Sequence, residues 1–275
     1  MQIQDFDFYK ELLKRESGLV VTPEKTYLLV SRLTPVAKKW DFDNIDHMTF
    51  TLKGLPDKGL LQDIIEAMTT NETSFFRDLK PFDLFKDVVM PPLIEARKDI
   101  KKIRIWCAAC SSGQEPYSLS MLMKEEPLAS KLAGFKVEIL ATDISEEILT
   151  QAKNAIYSQF EVQRGLPITM LMKYFSQEGE KWRLKSEVQN GISFRTFNLL
   201  DPTDSLGNFD IIFCRNVLIY FDQETKKDIL ERMSKNLKAD GHLFLGGAET
   251  VLGITDAFKL KENTRGLYIP NIQAK

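Results

Sequence analysis

The chain has 275 residues, with 37 Lys+Arg against 39 Asp+Glu, two His and three Cys. An apolar fraction of 43% and a charged fraction of 28% belong to an ordinary globular protein and exclude a disordered chain or a fibre. The length accommodates two domains, and a formal net charge of −2 argues against global attraction to nucleic acid or an anionic membrane.

Three Cys cannot close a disulfide framework, which points to a reducing, cytoplasmic setting. Two His, at His47 and His242, leave little room for a multi-His metal site, and no metal is expected. The opening MQIQDFDFYK lacks the basic-then-apolar order of a signal peptide. No apolar stretch is long enough to span a bilayer.

In chain order, residues 1–80 are predicted to be all-helical. Phe6, Tyr9, Leu12 and Leu13 follow helical spacing, as do Leu29, Leu33, Val36 and Trp40. Leu60, Leu61, Ile64, Ile65 and Met68 form a third apolar stripe. Thr22-Pro23-Glu24 reads as a helix start, and Gly18, Gly54-Leu55-Pro56 and Gly59 punctuate the segments. Residues 81–102 read as a linker helix, interrupted near Pro91-Pro92, with a charged tail of Arg97, Lys98, Lys101 and Lys102.

From residue 103 the pattern changes. Ile103–Trp106, Val137–Leu140, Phe209–Cys214 and Leu243–Leu245 read as short apolar strands alternating with helices. Near-continuous apolar strands suit a parallel sheet covered on both faces, so the expected class is α/β, doubly wound. Ser145 is a good N-cap for the helix after the second strand. Residues 157–197 break the alternation. Trp182–Leu184, the hairpin signal Asn190-Gly191 and Ile192–Phe197 predict a small antiparallel insert.

Ligands of such sheets bind outside the carboxyl ends of the strands. The first strand is followed by Ala108-Ala-Cys-Ser-Ser-Gly113, a degenerate glycine turn. Asp143 ends the second strand, and Glu115 opens a helix beside Pro116. A tight turn, a turn cap and a favourable helix-dipole charge would account for each alone. Together they form a nucleoside-binding pattern shared by NAD enzymes and S-adenosylmethionine enzymes. Cys214-Arg-Asn-Val-Leu-Ile-Tyr-Phe221 places Arg215 and Asn216 at another strand's carboxyl end, followed by Tyr220. Thr69–Asp78 reads as a polar loop anchored by Phe75-Phe76 and closing the helical domain.

The segments NETSFFRD, WCAACSSGQEPYSLSM, ATDIS, FNLL and FDIIFCRNVLIYFD, in this order, resemble the CheR-type chemotaxis receptor methyltransferases. The resemblance implies an all-helical N-terminal domain and a linker. It further implies a Rossmann-like S-adenosylmethionine-dependent methyltransferase domain with a small antiparallel β-subdomain insert. It places Asn71, Thr73 and Arg77 against the cofactor from the helical-domain side, at a site that also contains Gly113. It assigns Glu115 to the cofactor's amino-acid end, Asp143 to its ribose, and Asn198 and Leu199 to its adenine. Arg215 and Asn216 approach from the fourth strand, and Arg77 and Tyr220 are nearest the transferred methyl group. Cys107 and Cys110 are expected to be packing or turn residues.

The implied reaction forms glutamate methyl esters on chemoreceptors and releases S-adenosylhomocysteine. A glutamate carboxylate is already ionised at neutral pH, which suits a chain poor in His. An acidic receptor helix calls for a local basic patch, for which Lys25, Arg32, Lys38 and Lys39 are candidates. Some relatives tether to a receptor's terminal pentapeptide through a longer, glycine-bearing loop. The turn at Ser176–Lys181 is short, so pentapeptide-independent binding is expected. A nucleic-acid or small-molecule methyltransferase, an S-adenosylmethionine-sensing adaptor and an NAD-linked oxidoreductase are the rival readings. The absence of an Asn/Asp-Pro-Pro-aromatic motif, the presence of Arg77, Tyr220, Glu115 and Asp143, and the missing glycines count against them in turn.

Overall fold

A computed structural model describes residues 5–54 and 57–272. The opening residues 1–4, and Leu55 and Pro56 of the expected punctuation, lie outside the described residues. The chain divides into two compact units. One comprises the residues up to Thr70 with Tyr220–Thr225, and the other comprises Asn71–Ile219 and the residues from Lys226 on.

The first unit contains the helices Phe6–Ser17, Thr26–Lys39, Ile45–Gly54 and Lys58–Met68. Tyr9, Leu13, Leu29, Leu33, Met48 and Ile64 meet in its core. The buried hydroxyls of Tyr9 and Thr49 are 2.9 Å apart and satisfy each other. Asp57 caps the last of these helices, accepting from Gly59 N at 2.7 Å and Leu60 N at 3.2 Å. The helix Ile45–Gly54 falls in the segment expected to be helical, though its stripe was not singled out: Ile45, Met48, Thr49 and Leu52 line one buried face at helical spacing. Thr22-Pro23-Glu24 opens a 3₁₀ turn, Pro23–Lys25, immediately before the second helix. Tyr220–Thr225 joins this unit through Val20 N, which donates to Tyr220 O at 3.0 Å, and through Lys14 Nζ, 2.8 Å from Asp222 Oδ2.

The second unit begins earlier than the expected boundary at residue 80. Phe75, Phe76, Phe82, Phe85, Val89 and Leu93 all enter its core, so residues 71–80 and the expected linker belong to it. The linker is helical from Lys80 to Ala96, with a π-turn at Phe85–Val89 beside the prolines. Pro91 lacks the N–H of a regular ladder, which accounts for irregularity there. Arg97, read as part of a charged tail, is buried. Its Nε donates to Asp210 Oδ1 at 2.8 Å, and its Nη1 and Nη2 donate to Asp240 at 2.8 and 2.7 Å. Asp210 is fully buried and also accepts from Arg104 N and Lys238 Nζ, each at 2.8 Å.

Its strands are β1 (Lys102–Ala108), β2 (Lys136–Asp143), β3 (Ile156–Ser158), β4 (Phe175–Glu178), β5 (Lys181–Leu184), β6 (Ile192–Thr196), β7 (Phe209–Cys214), β8 (Leu237–Leu245), β9 (Phe258–Leu260) and β10 (Leu267–Pro270). The main sheet has the order β6-β2-β1-β7-β8-β10-β9. Its first five strands are mutually parallel, and β10 is antiparallel to both of its neighbours. From β1 the chain builds outward through β2 and β6, then crosses to β7 and builds the other way. The switch point therefore lies between β1 and β7, where a ligand crevice opens at the carboxyl ends. Every residue of β7 is buried, and Phe213 stacks on Phe244 at 4.3 Å.

β3, β5 and β4 form the separate antiparallel sheet. The expected extent of that insert needs correction at its end. Asn190-Gly191 is not a hairpin turn, because Ile192–Thr196 pairs in parallel with β2 in the main sheet. Gly191 sits at φ +84, and a Cβ there would stand 2.8 Å from Val137 O, so this glycine serves the close approach of β6 to β2. The actual hairpin joins β4 to β5 around Gly179-Glu180. Among the described residues no helix is long and apolar enough to cross a membrane.

Candidate active site

The turn after β1 has positive φ at every second residue: Ala109 at 58°, Ser111 at 50° and Gly113 at 91°. Such alternation curls backbone N–H groups around a concavity. At Gly113 a Cβ would meet the Tyr117 ring at 3.0 Å and Ala152 Cβ at 3.1 Å, so glycine is required for conformation and for space. Asp143, at the end of β2, fixes the turn by accepting from Ser111 N at 2.8 Å and from Ser145 N at 3.1 Å. Ser111 Oγ donates to Asn71 O at 2.9 Å, and Tyr157 OH donates to Ser112 O at 2.8 Å. Asn71 and the small antiparallel sheet thus both brace the glycine turn. Ser145 caps the following helix as expected, accepting from Ile148 N at 3.1 Å.

The second cluster is centred on Arg215, just past β7. Its Nη1 donates to Glu115 Oε2, and its Nη2 donates to Arg77 O and Asp78 Oδ2, each at 2.8 Å. Arg215 Nε is buried and has no hydrogen-bond partner among the described residues. Burial pushes the Glu115 carboxyl above its ordinary value, Arg215 opposes that rise, and the negative charge of Glu249 adds to it. Arg77 Nη1 donates to Glu72 O at 2.7 Å, and Glu72 is ion-paired with Arg164 of the insert. Phe76, Asp78 and Leu79 all adopt positive φ, so the loop carrying Arg77 is locally strained and tied down by Arg215.

Asn71, Thr73 and Arg77, expected on the helical-domain side, belong instead to the second unit with Gly113, Glu115, Asp143, Asn198, Leu199, Arg215 and Asn216. Thr73 is half-buried. Asn198 and Leu199 follow β6, where Phe197 N donates to Asp143 O at 2.9 Å, and Asn198 Oδ1 accepts from Leu200 N at 3.0 Å. Tyr220 belongs to the first unit. Gly165 and Glu249 escaped the sequence reading, and Asp78 appeared there only as the end of the Thr69–Asp78 loop and its NETSFFRD segment, with no role. Gly165 lies against the Phe75 carbonyl, and Glu249 binds the loop after β7. Glu249 follows a strand's carboxyl end, the location that drew attention to Asp143 and Arg215, and that placement was the available signal.

Cys107, Cys110 and Cys214 are free and buried, and burial pushes all three thiols well above their ordinary values. They pack as neutral side chains. Among the described residues no group of three or more His, Cys, Asp or Glu is arranged to hold a metal.

Residues 71–267 match the family model described as CheR methyltransferase, SAM binding domain. The chain is 40% identical over 266 residues to chemotaxis protein methyltransferase Cher2 of Pseudomonas putida, covering 96% of each. It is 40% identical over 267 residues to chemotaxis protein methyltransferase 1 of Pseudomonas aeruginosa, again covering 96% of each. Against the chemotaxis protein methyltransferase of Escherichia coli the identity is 34% over 260 residues, covering 92% of this chain and 87% of the relative. The family match starts at Asn71, where the second unit starts.

Proposed function

Because the chain belongs to the CheR methyltransferase family, we propose that it methylates glutamate side chains of chemoreceptors, forming methyl esters. It is an S-adenosylmethionine-dependent methyltransferase of chemotaxis, and the glutamate substrate is the finer reading. The observation that carries it is the Arg215 cluster beside the glycine turn, at the carboxyl ends of β1 and β7.

The residues present fit the cofactor. The positive-φ turn ending at Gly113 curls its backbone N–H groups around a concavity, and Asp143 supplies a carboxylate at the end of the adjacent strand. The unpartnered Arg215 Nε is a buried donor that calls for an acceptor. S-adenosylmethionine supplies a methyl group on a positively charged sulfur. Asp143 holds the ribose, Glu115 the amino-acid end, and Asn198 and Leu199 flank the adenine. Asn71, Thr73, Arg77 and Asn216 complete the cofactor's surroundings.

A substrate glutamate arrives ionised and needs no general base. The protein's task is to orient its oxygen and to exclude water. Arg77 orients the carboxylate through charge-assisted hydrogen bonds, and Tyr220 donates one more. Neither can bind it too tightly without lowering its reactivity, so both are positioning groups.

Lys25 and Lys38 are exposed and supply the docking charge for an acidic receptor helix. Arg32 contributes less to docking, because its Nη1 caps the helix Lys58–Met68 by donating to Met68 O at 2.9 Å and Thr69 O at 3.0 Å. Lys39 is paired with Asp63 at 2.8 Å. The tight β4–β5 turn supports pentapeptide-independent binding, and the three free thiols support a reducing, cytoplasmic setting.

The test is incubation with labelled S-adenosylmethionine and receptor-containing membranes. Base-labile label on a receptor band is expected, and label that resists base overturns glutamate esterification. Arg77→Ala and Tyr220→Phe should each slow transfer while leaving cofactor binding measurable. Wild-type turnover in both would overturn their assignment.

A further inference from the structure

We infer that Glu249 is a positioning residue that sets the conformation of the cofactor-facing loop after β7. This rests on the reading above, in which Arg215 and Asn216 of that loop meet the cofactor. β7 and β8 run parallel, with Cys214 opposite Leu245, so their carboxyl ends lie side by side. After β8 the chain turns at Gly246, where Glu249 N donates back to Gly246 O at 2.9 Å. This turn aims the Glu249 side chain at the neighbouring loop.

Its carboxylate collects four backbone N–H groups. Oε2 accepts from Asn216 N at 2.8 Å and Gly246 N at 2.6 Å. Oε1 accepts from Val217 N at 2.9 Å and Leu218 N at 2.7 Å. Three consecutive N–H groups, from Asn216 to Leu218, therefore point at one buried anion, as they do at a helix N-terminus. Converging them requires the chain to reverse at Asn216, whose φ is +60°, an uncommon value outside glycine. The charge of Glu249 offsets that strain, and the reversal aims Arg215 and Asn216 into the crevice.

Gly246 gives an independent handle. A Cβ there would stand 2.7 Å from Glu249 Oε2, 2.9 Å from Asn216 Nδ2 and 3.0 Å from Asn216 N. Gly246→Ala therefore displaces the same contacts while leaving the carboxylate in place. Glu249→Gln swaps one accepting oxygen for a donor facing N–H groups and removes the charge.

The experiment measures the dissociation constant for S-adenosylmethionine by calorimetry, and KM for receptor membranes at saturating cofactor. Wild type, Glu249→Gln, Gly246→Ala and the control Arg215→Ala are compared. Glu249→Gln and Gly246→Ala should each weaken cofactor binding about tenfold, the size of one charged hydrogen-bond network lost, with receptor KM unchanged. The double variant should be no weaker than the worse single one, because both act through one set of contacts. If Arg215→Ala binds cofactor like the wild type, the site reading fails. If Arg215→Ala is impaired while both other variants bind normally, the inference fails. Equal losses in cofactor affinity and receptor KM also overturn it, since they indicate general destabilisation. If Glu249→Gln does not fold, Gly246→Ala decides alone by the same criteria.

Discussion

Arg215 Nη1 donates to Glu115 Oε2 at 2.8 Å, and the pair is almost wholly removed from solvent, with side chains 2% and 12% exposed. Two opposite charges held this way satisfy each other, but either one alone is costly. The guanidinium also holds Arg77 O and Asp78, so one cation ties the glycine-turn helix to the loop before the linker.

Arg215→Ala should therefore cost about 3–5 kcal/mol, because it strands a buried carboxylate. It should also change the pH dependence. Burial already raises Glu115 above 4.5, and loss of Arg215 removes a group that lowers it. An acid with a raised folded value binds its proton more tightly when folded. Its stability penalty thus appears as pH rises through the unfolded value and grows up to the folded one. Denaturant melts from pH 4 to 8 should show that penalty reaching higher pH in Arg215→Ala. Adding Glu115→Gln should recover stability at neutral pH, and no recovery would refute the stranded-charge account.

Gly165 is a second point of dependence. It has φ +86, and a Cβ would stand 2.1 Å from Phe75 O. Phe75 is buried, packing edge-on against Tyr157 and Phe175 of the small sheet. Gly165→Ala should cost about 3 kcal/mol or more, combining strain with a backbone clash. Thermal melts check the loss. Cofactor affinity should fall as well, since the clash displaces the loop bearing Asn71 and Arg77.

His242 predicts a separate acid-side behaviour. It is 8% exposed, its Nδ1 lacks a partner among the described residues, and burial pushes its value down to about 4 from 6.5. The unfolded chain takes up a proton below 6.5 that the folded chain refuses until about 4, so stability falls as pH drops across that window. The contribution is about 3 kcal/mol. His242→Gln should flatten the stability profile between these limits, and an unchanged slope would remove His242 from the account.

Asp210 lies at the amino end of β7, away from the strand ends that form the site. It balances Arg97 and Lys238 from a fully buried position. Asp210→Ala should cost about 3–5 kcal/mol by leaving Arg97 without a buried partner. Turnover per folded molecule should not change. Replacing both Arg97 and Asp210 by Met and Leu should recover much of the loss, which equilibrium unfolding would measure.

Much of the second unit could be read in advance because its signals are local. Phe209–Cys214 is an unbroken apolar run, and Asp143 and Arg215 follow such runs directly. The failures involve partners distant in sequence. Ile192–Thr196 looks like half of a hairpin until β2 is seen to pair with it, and Arg97 looks solvated until Asp210 and Asp240 arrive. Glu249 was marked only by its place after a strand end, for another reason. Its partners are backbone N–H groups, which every residue but proline carries and no motif records. The apolar stripe of the helix Ile45–Gly54 was obscured by its Thr, His and Asp content.

The assignment of Tyr220–Thr225 to the first unit has a consequence for biosynthesis. Strands β1 to β7 lie in the chain between Thr70 and this segment. A ribosome therefore delivers most of the catalytic sheet before the helical unit receives its last piece. The amino-terminal seventy residues emerge before the last segment assigned to their unit. Until residue 225 emerges, Val20 N and Lys14 lack Tyr220 O and Asp222. No single cleavage point separates the two units, because a truncation after Thr70 leaves Tyr220–Thr225 on the other fragment.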